Sequence, residues 1–194
     1  MGSEPAIPDP TDGARRYFKQ GAHDGLCGFY ATLNAFRYLL EATGQYPIHD
    51  DWAFFDEAVE CLARVPGVGV RILMNDHRVG GIDQYQIRDL CIILAERLDL
   101  AIDIALIGPG KKMPFARRYR ALQSRGQPFV LIVAHRDGSH WTVVTGYERH
   151  AYCLIDDGLC RSIPIKNDER RQFASDSAVV LTIGHRDMEA GKRE

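Results

Sequence analysis

Between Cys27 and Leu40 the apolar residues Ala31, Leu33, Ala35, Phe36, Leu39 and Leu40 make a broad apolar face, which predicts a buried central helix stopped by Gly44 and Pro47. A second helix fits Asp51 to Arg64, with Asp50 or Asp51 as its cap and VPGVG as its stop. The stretch GGIDQYQIRDLCIILAERL predicts a third, because Ile82, Tyr85, Leu90, Ile93, Leu94 and Leu98 return at three- and four-residue spacing. DIALIG reads as a short strand, and PFARRYRALQSRG as a helix ended by Gly126.

Beyond Gly126 the pattern becomes β-rich. Phe129 to Ala134, His140 to Tyr147 and Ala151 to Ile155 are short runs separated by Asp137-Gly138 and by Glu148-Arg149, which predicts an antiparallel meander. AVVLTIG near the C-terminus offers a further strand. Helices first and a sheet after them predict an α+β architecture with two halves packed together. Such a chain forms a cleft where the halves meet, and sites form preferentially in clefts of that kind.

Composition narrows the function classes. The chain has 194 residues, enough for one core and a cleft but cramped for two domains. A formal charge of -2 gives no overall attraction to nucleic acid or anionic membrane, so neither is an expected partner. The clusters Arg117-Arg118 with Arg120, and Arg170-Arg171, read as solvated faces. No stretch reaches the ~18 apolar residues of a membrane span, and MGSEPAIPDPTDG lacks the basic and apolar parts of a secretory signal. A cytoplasmic location is the default, although the chemistry below also suits a secreted effector. Five cysteines with no CxxC pair argue against a disulfide framework and a zinc site, and no cofactor is expected. Cys61 and Cys91 sit in apolar helical patterns and read as buried small hydrophobes.

Cys27 is different, because it starts a helix. The partial positive charge of a helix N-terminus favours thiolate and so favours nucleophilic chemistry. Such a nucleophile needs a base, and the base needs an orienting group. His140 opens the strand HWTVVTGY after the turn RDGS, and the next strand ends in Asp156-Asp157-Gly158. In a hairpin the start of one strand lies beside the end of the next, so His140 and Asp156 are expected neighbours, with the carboxylate fixing the imidazole tautomer. His23 shares a loop with Cys27, and His135 precedes a turn and reads as a surface residue. An acyl-transfer site also needs oxyanion donors: the Cys27 backbone N–H supplies one and the Gln20 side-chain amide the other, with Gly25 and Gly28 leaving space for a substrate carbonyl. A binding module without catalysis, and a metal site of His135, His140 and Cys153 or Cys160, are competing readings of the same residues.

Gln20, DGLCGFYATLNA around Cys27, GSHWTVVTGY around His140 and YCLIDDG around Asp156 resemble the papain-like cysteine peptidases, and more narrowly the bacterial C39-like peptidases, in the order Gln, Cys, His, Asp. The resemblance implies Gln20 as oxyanion donor, Cys27 as nucleophile, His140 as general acid/base and Asp156 as the orienting residue. It implies a helical lobe whose nucleophile helix packs on an antiparallel sheet, and a peptide or protein substrate. The usual DP after the last strand is DDG here, which makes Asp157 a rival to Asp156. Bacteriocin exporters fuse such peptidases to membrane domains, and this chain carries none, so leader-peptide processing does not carry over. The domain expectation is a flexible arm over 1–14, one papain-like domain over 15–186 and a charged tail over 187–194. The functional expectation is a cysteine peptidase or isopeptidase working through an acyl-enzyme. A glutamine deamidase, a transglutaminase or an acyltransferase, or an inactive peptide-binding module, are the alternatives on the same fold.

Overall fold

The computed structural model describes residues 17–19, 26–42, 51–68, 81–107, 115–135, 140–148, 151–156, 159–164 and 173–183. Helix α1 spans Cys27–Ala42, α2 Asp51–Ala63, α3 Gln84–Arg97 and α4 Phe115–Gln123. The strands are β1 Ile102–Ile107, β2 Phe129–His135, β3 Trp141–Glu148, β4 Ala151–Asp156, β5 Leu159–Pro164 and β6 Phe173–Ile183. The arm at 1–14 and the tail at 187–194 lie outside the described residues.

Helix α1 is buried on nearly every side, because eleven of its sixteen residues are closed to solvent. An all-round apolar helix has to sit inside the protein rather than on it. Its six predicted core positions are all buried. It packs on β2 and β3, and α2 and α3 cover it from the other side.

The capping of α3 sets where that cover begins. The Asp83 carboxylate accepts from the backbone N–H groups of Tyr85 and Gln86 at 2.8 and 2.9 Å, while the Asp83 N–H donates to the Gln86 side chain at 2.9 Å. This reciprocal capping box satisfies donors that the helix start would otherwise leave open. Ile82 before the cap and Ile87 in the first turn then press on α1 at Gly28: a Cβ at that glycine would lie 2.6 Å from Ile82 Cγ1 and 3.0 Å from Ile87 Cδ1. One expectation fails here. Tyr85 is half exposed, and Ile87 and Cys91 join Leu90 and Leu94 on the buried face. Tyr85 lies two residues from Ile87, about 200° round the helix, so both cannot face the core.

The six described strands form one antiparallel sheet in the order β1-β6-β2-β3-β4-β5. The meander β2-β3-β4 matches the sequence reading, whereas β5 extends it and the C-terminal strand inserts between β1 and β2. Val130 and Ile132 face the helices, and Leu131 and Val133 join a second core with Tyr119 of α4. A sheet covered on both faces needs strands apolar at every position, which accounts for FVLIVA. In β3 and β4 the pairs Val143↔Ile155 and Val144↔Leu154 give way to Gly146↔Cys153, so Thr145 is an extra residue, a β-bulge. Its carbonyl accepts from the Tyr38 hydroxyl of α1 at 3.4 Å.

The contact at Gly28 generates a stability prediction. Gly28→Ala destabilises the protein by about 1–3 kcal/mol through overpacking, in spite of the better helix propensity of alanine. The double variant with Ile82→Ala costs less than the sum of the two single changes in urea unfolding. Strictly additive costs, or a gain in stability on Gly28→Ala, contradict the close approach of α3.

Candidate active site

Leu26 accepts the first helical hydrogen bond of α1 from the Tyr30 N–H at 3.0 Å, which places Cys27 in the first turn. Backbone N–H groups there have no acceptor within the helix, and the turn contains no acidic residue to occupy them. Cys27 is partly exposed. Residues 27, 30 or 31, and 34 follow one stripe of the helix, and this stripe faces the sheet end where β3 starts.

His140 directly precedes β3. Its carbonyl accepts from the His135 N–H at 2.8 Å, tying the start of β3 to the end of β2. Cys27, His140, Phe18, Tyr30, Asn34 and Ile155 line one small hollow. Two residues far apart in sequence are thereby brought to one place, one from the helical half and one from the sheet. The Thr142 hydroxyl, buried, donates to the Ile155 carbonyl at 3.0 Å and ties the start of β3 to the end of β4.

The register beyond that bond matters for Asp156. The Thr145 bulge leaves Val143 opposite Ile155, and one further step along β4 brings the Asp156 backbone level with Thr142, two residues from His140. Without the extra residue, position 156 would be in step with Val143 instead. A one-residue change of register moves a position to the opposite face of a sheet, so the bulge decides which neighbours position 156 has. Gln20, Gly25 and Asp157 lie outside the described residues.

Two expectations from the sequence need correction. Gly28 does not serve the cleft, since its missing side chain leaves room for Ile82 and Ile87 in the core. His135 is not a surface residue: it is partly buried, its ring centroid is 5.3 Å from that of His140, and the rings meet edge to face. It stands there because β2 and β3 are antiparallel neighbours, so the end of one adjoins the start of the other. Asn34, which sequence reasoning passed over, was signalled as the one amide in a largely apolar helix.

Cys61 and Cys91 behave as packing groups, being 1% and 0% exposed. Burial pushes both thiols up and holds them protonated. Among the described residues no group of three His, Cys, Asp or Glu side chains gathers to hold a metal ion. A larger hollow of about 520 Å³ between α3 and β1 is lined by Ile92, Glu96, Asp99 and Asp103 among others, and holds no thiol, hydroxyl or imidazole side chain.

The overall shape matches solved structures. The peptidase domain of Streptococcus ComA, a bi-functional ABC transporter involved in quorum sensing, aligns over 87% of this chain and 97% of its own, with 10% identity and a TM-score of 0.47. A protein from Bacillus anthracis described as a C39-like peptidase aligns over 89% of this chain and 96% of its own, with 14% identity and a TM-score of 0.52. The second alignment shows that the chain has a C39-like peptidase fold. The likeness is one of shape, since no family model matches the sequence and no curated protein matches it. No described helix is long and apolar enough to cross a membrane.

Exposure separates Cys27 from buried Cys61 and Cys91, and its helix-start position separates it from partly exposed Cys153, which together predict a labelling order. Iodoacetamide modifies Cys27 first and to one equivalent, while Cys61 and Cys91 react only on unfolding. His140→Ala slows the Cys27 reaction at least about tenfold, because the base is lost. Peptide mapping checks both points, and equal rates at Cys27 and Cys61 in the folded protein contradict the assignment.

Proposed function

We propose that the protein is a thiol hydrolase that cleaves a peptide or isopeptide bond through an acyl-enzyme on Cys27. The observation that carries this reading is the shared hollow of Cys27 and His140 at the open end of α1. A C39-like fold around that pair supports a peptide substrate.

The reaction runs in two halves. His140 takes the proton from Cys27 Sγ, and the sulfur adds to the substrate carbonyl carbon, shifting the C–O electron pair onto oxygen. The Cys27 N–H and the Gln20 amide hold that oxyanion. Collapse breaks the C–N bond, and His140 hands its proton to the leaving amine. Water then adds to the thioester with His140 as base, the C–S bond breaks, and the acid leaves as Cys27 regains its proton. Asp156 keeps the imidazole oriented and stabilises its cation during both halves.

Turnover of a peptide library joined to a fluorescent amine tests these roles. Cys27→Ala abolishes turnover, His140→Ala lowers kcat by about 10²–10⁴-fold, and Asp156→Asn lowers it more than Asp157→Asn does. Full turnover by Cys27→Ala removes the hydrolase reading. Probes carrying a peptide, a ubiquitin-like tail or a glutamine side chain beside the electrophile separate peptidase, isopeptidase and deamidase. Cleavage of no amide, with peptide binding retained by Cys27→Ala, identifies a binding module instead.

A further inference from the structure

Asn34 makes two hydrogen bonds to a single residue outside its helix. Its Oδ1 accepts from the Phe18 N–H at 2.8 Å, and its Nδ2 donates to the Phe18 carbonyl at 3.0 Å. Only 4% of Asn34 is exposed. A buried amide costs free energy unless its donor and acceptor are both used, and an apolar residue would fill the same space without that demand. The side chain stands in for a β-strand edge, pairing with the Phe18 backbone as a neighbouring strand would.

The grip has a place in the site. Phe18 and Asn34 line the same hollow as Cys27 and His140, and Asn34 lies two turns along α1 from Cys27. The Phe18 ring is held as well: the rings of Phe54 and Phe55 are each 6.0 Å away, and the Arg37 guanidinium lies 5.8 Å from its centroid. Arg37 is itself fixed by Glu41 at 3.2 Å and Asp51 at 2.9 Å. Helix α1 therefore carries both the sulfur and the anchor for another part of the hollow's lining. In the sequence, Phe18 stands two residues before Gln20.

We infer that Asn34 is a positioning residue for acyl transfer, its paired hydrogen bonds to Phe18 setting the cleft wall at a fixed distance from the Cys27 end of α1. The inference rests on the acyl-transfer reading of the site. Its mechanistic content is specific: alignment of an acyl carbonyl depends on that wall, whereas the reactivity of the thiol toward a simple alkyl halide does not. Displacement of iodide from iodoacetamide takes place at a saturated carbon and builds no oxyanion. Acylation builds one and needs sub-ångström alignment of its donors.

Two rates measured on the full chain separate these effects. One is alkylation of Cys27 by iodoacetamide, and the other is acylation by an N-acylglycyl 4-nitrophenyl ester above the Cys27→Ala background. Asn34→Leu, similar in size, keeps the alkylation rate within about twofold and lowers acylation by about 10–100-fold, in kcat rather than KM. Combined with Gln20→Ala it loses little more than the worse single variant, because both changes disable one device. Asn34→Asp keeps the acceptor and removes the donor; it gives the same separation and serves if the leucine variant does not fold. Alkylation and acylation falling together in both variants shows a merely structural role and overturns the inference, as does acylation at the wild-type rate. If the wild-type protein itself shows neither fast alkylation nor acylation at Cys27, the acyl-transfer reading has failed instead.

Discussion

Everything at the candidate site depends on the burial of α1 against the sheet. A helix enclosed by β2, β3, α2 and α3 has little freedom to shift, since protein interiors are close-packed and a movement of one turn would displace Phe29, Leu33 and Phe36 together. Between its ends the helix is largely closed to solvent, and Cys27 stands in the first turn, where it comes back to the surface. The apolar packing thus fixes a polar end, with free backbone N–H groups beside a sulfur and an imidazole arriving from β3. The glycine at position 28 belongs to that packing, because the cap of α3 drives Ile82 into the space a side chain would need.

A small set of polar groups on α1 then ties the surrounding chain to the helix. Asn34 holds the backbone at Phe18, Arg37 holds its ring, and the Tyr38 hydroxyl takes the carbonyl that the Thr145 bulge exposes. The three lie close together along the helix and reach two separate segments, the chain at Phe18 and strand β3. The bulge has a further effect, since it sets the step between β3 and β4 that places Asp156 level with Thr142. Surface ion pairs such as Arg97 with Glu57 join α3 to α2, but screening by water leaves exposed pairs of that kind a small part in stability.

The readable parts of the sequence were those governed by local periodicity. The six apolar positions of α1 are all buried, and the strands of the meander from Phe129 to Asp156 pair as antiparallel neighbours, because these patterns depend on residues a few positions apart. Tyr85 was misplaced because aromatic character was read as burial, when the capping box at Asp83 sets the helix phase and turns the ring outward. β5 went unread because LCRSIP mixes polar residues and a proline and has no apolar run. The insertion of β6 between β1 and β2 reflects pairing over the length of the chain, on which local pattern is silent. For the candidate site, the helix-start position of Cys27 and the strand-start position of His140 were both legible. The edge contact of His135 with His140 and the Asn34 grip on Phe18 were not, since each depends on elements that meet only after folding.

The central claim is that Cys27, with His140, carries an acyl group through a covalent intermediate. Rapid acid quenching of the protein with a slowly hydrolysed acyl substrate, followed by intact-mass and peptide-mass measurement, tests this most directly. The account predicts one acyl group per chain, located on Cys27, removed by hydroxylamine as a thioester is, and failing to form in His140→Ala. Substrate hydrolysed with no adduct, or an adduct on another residue, contradicts it.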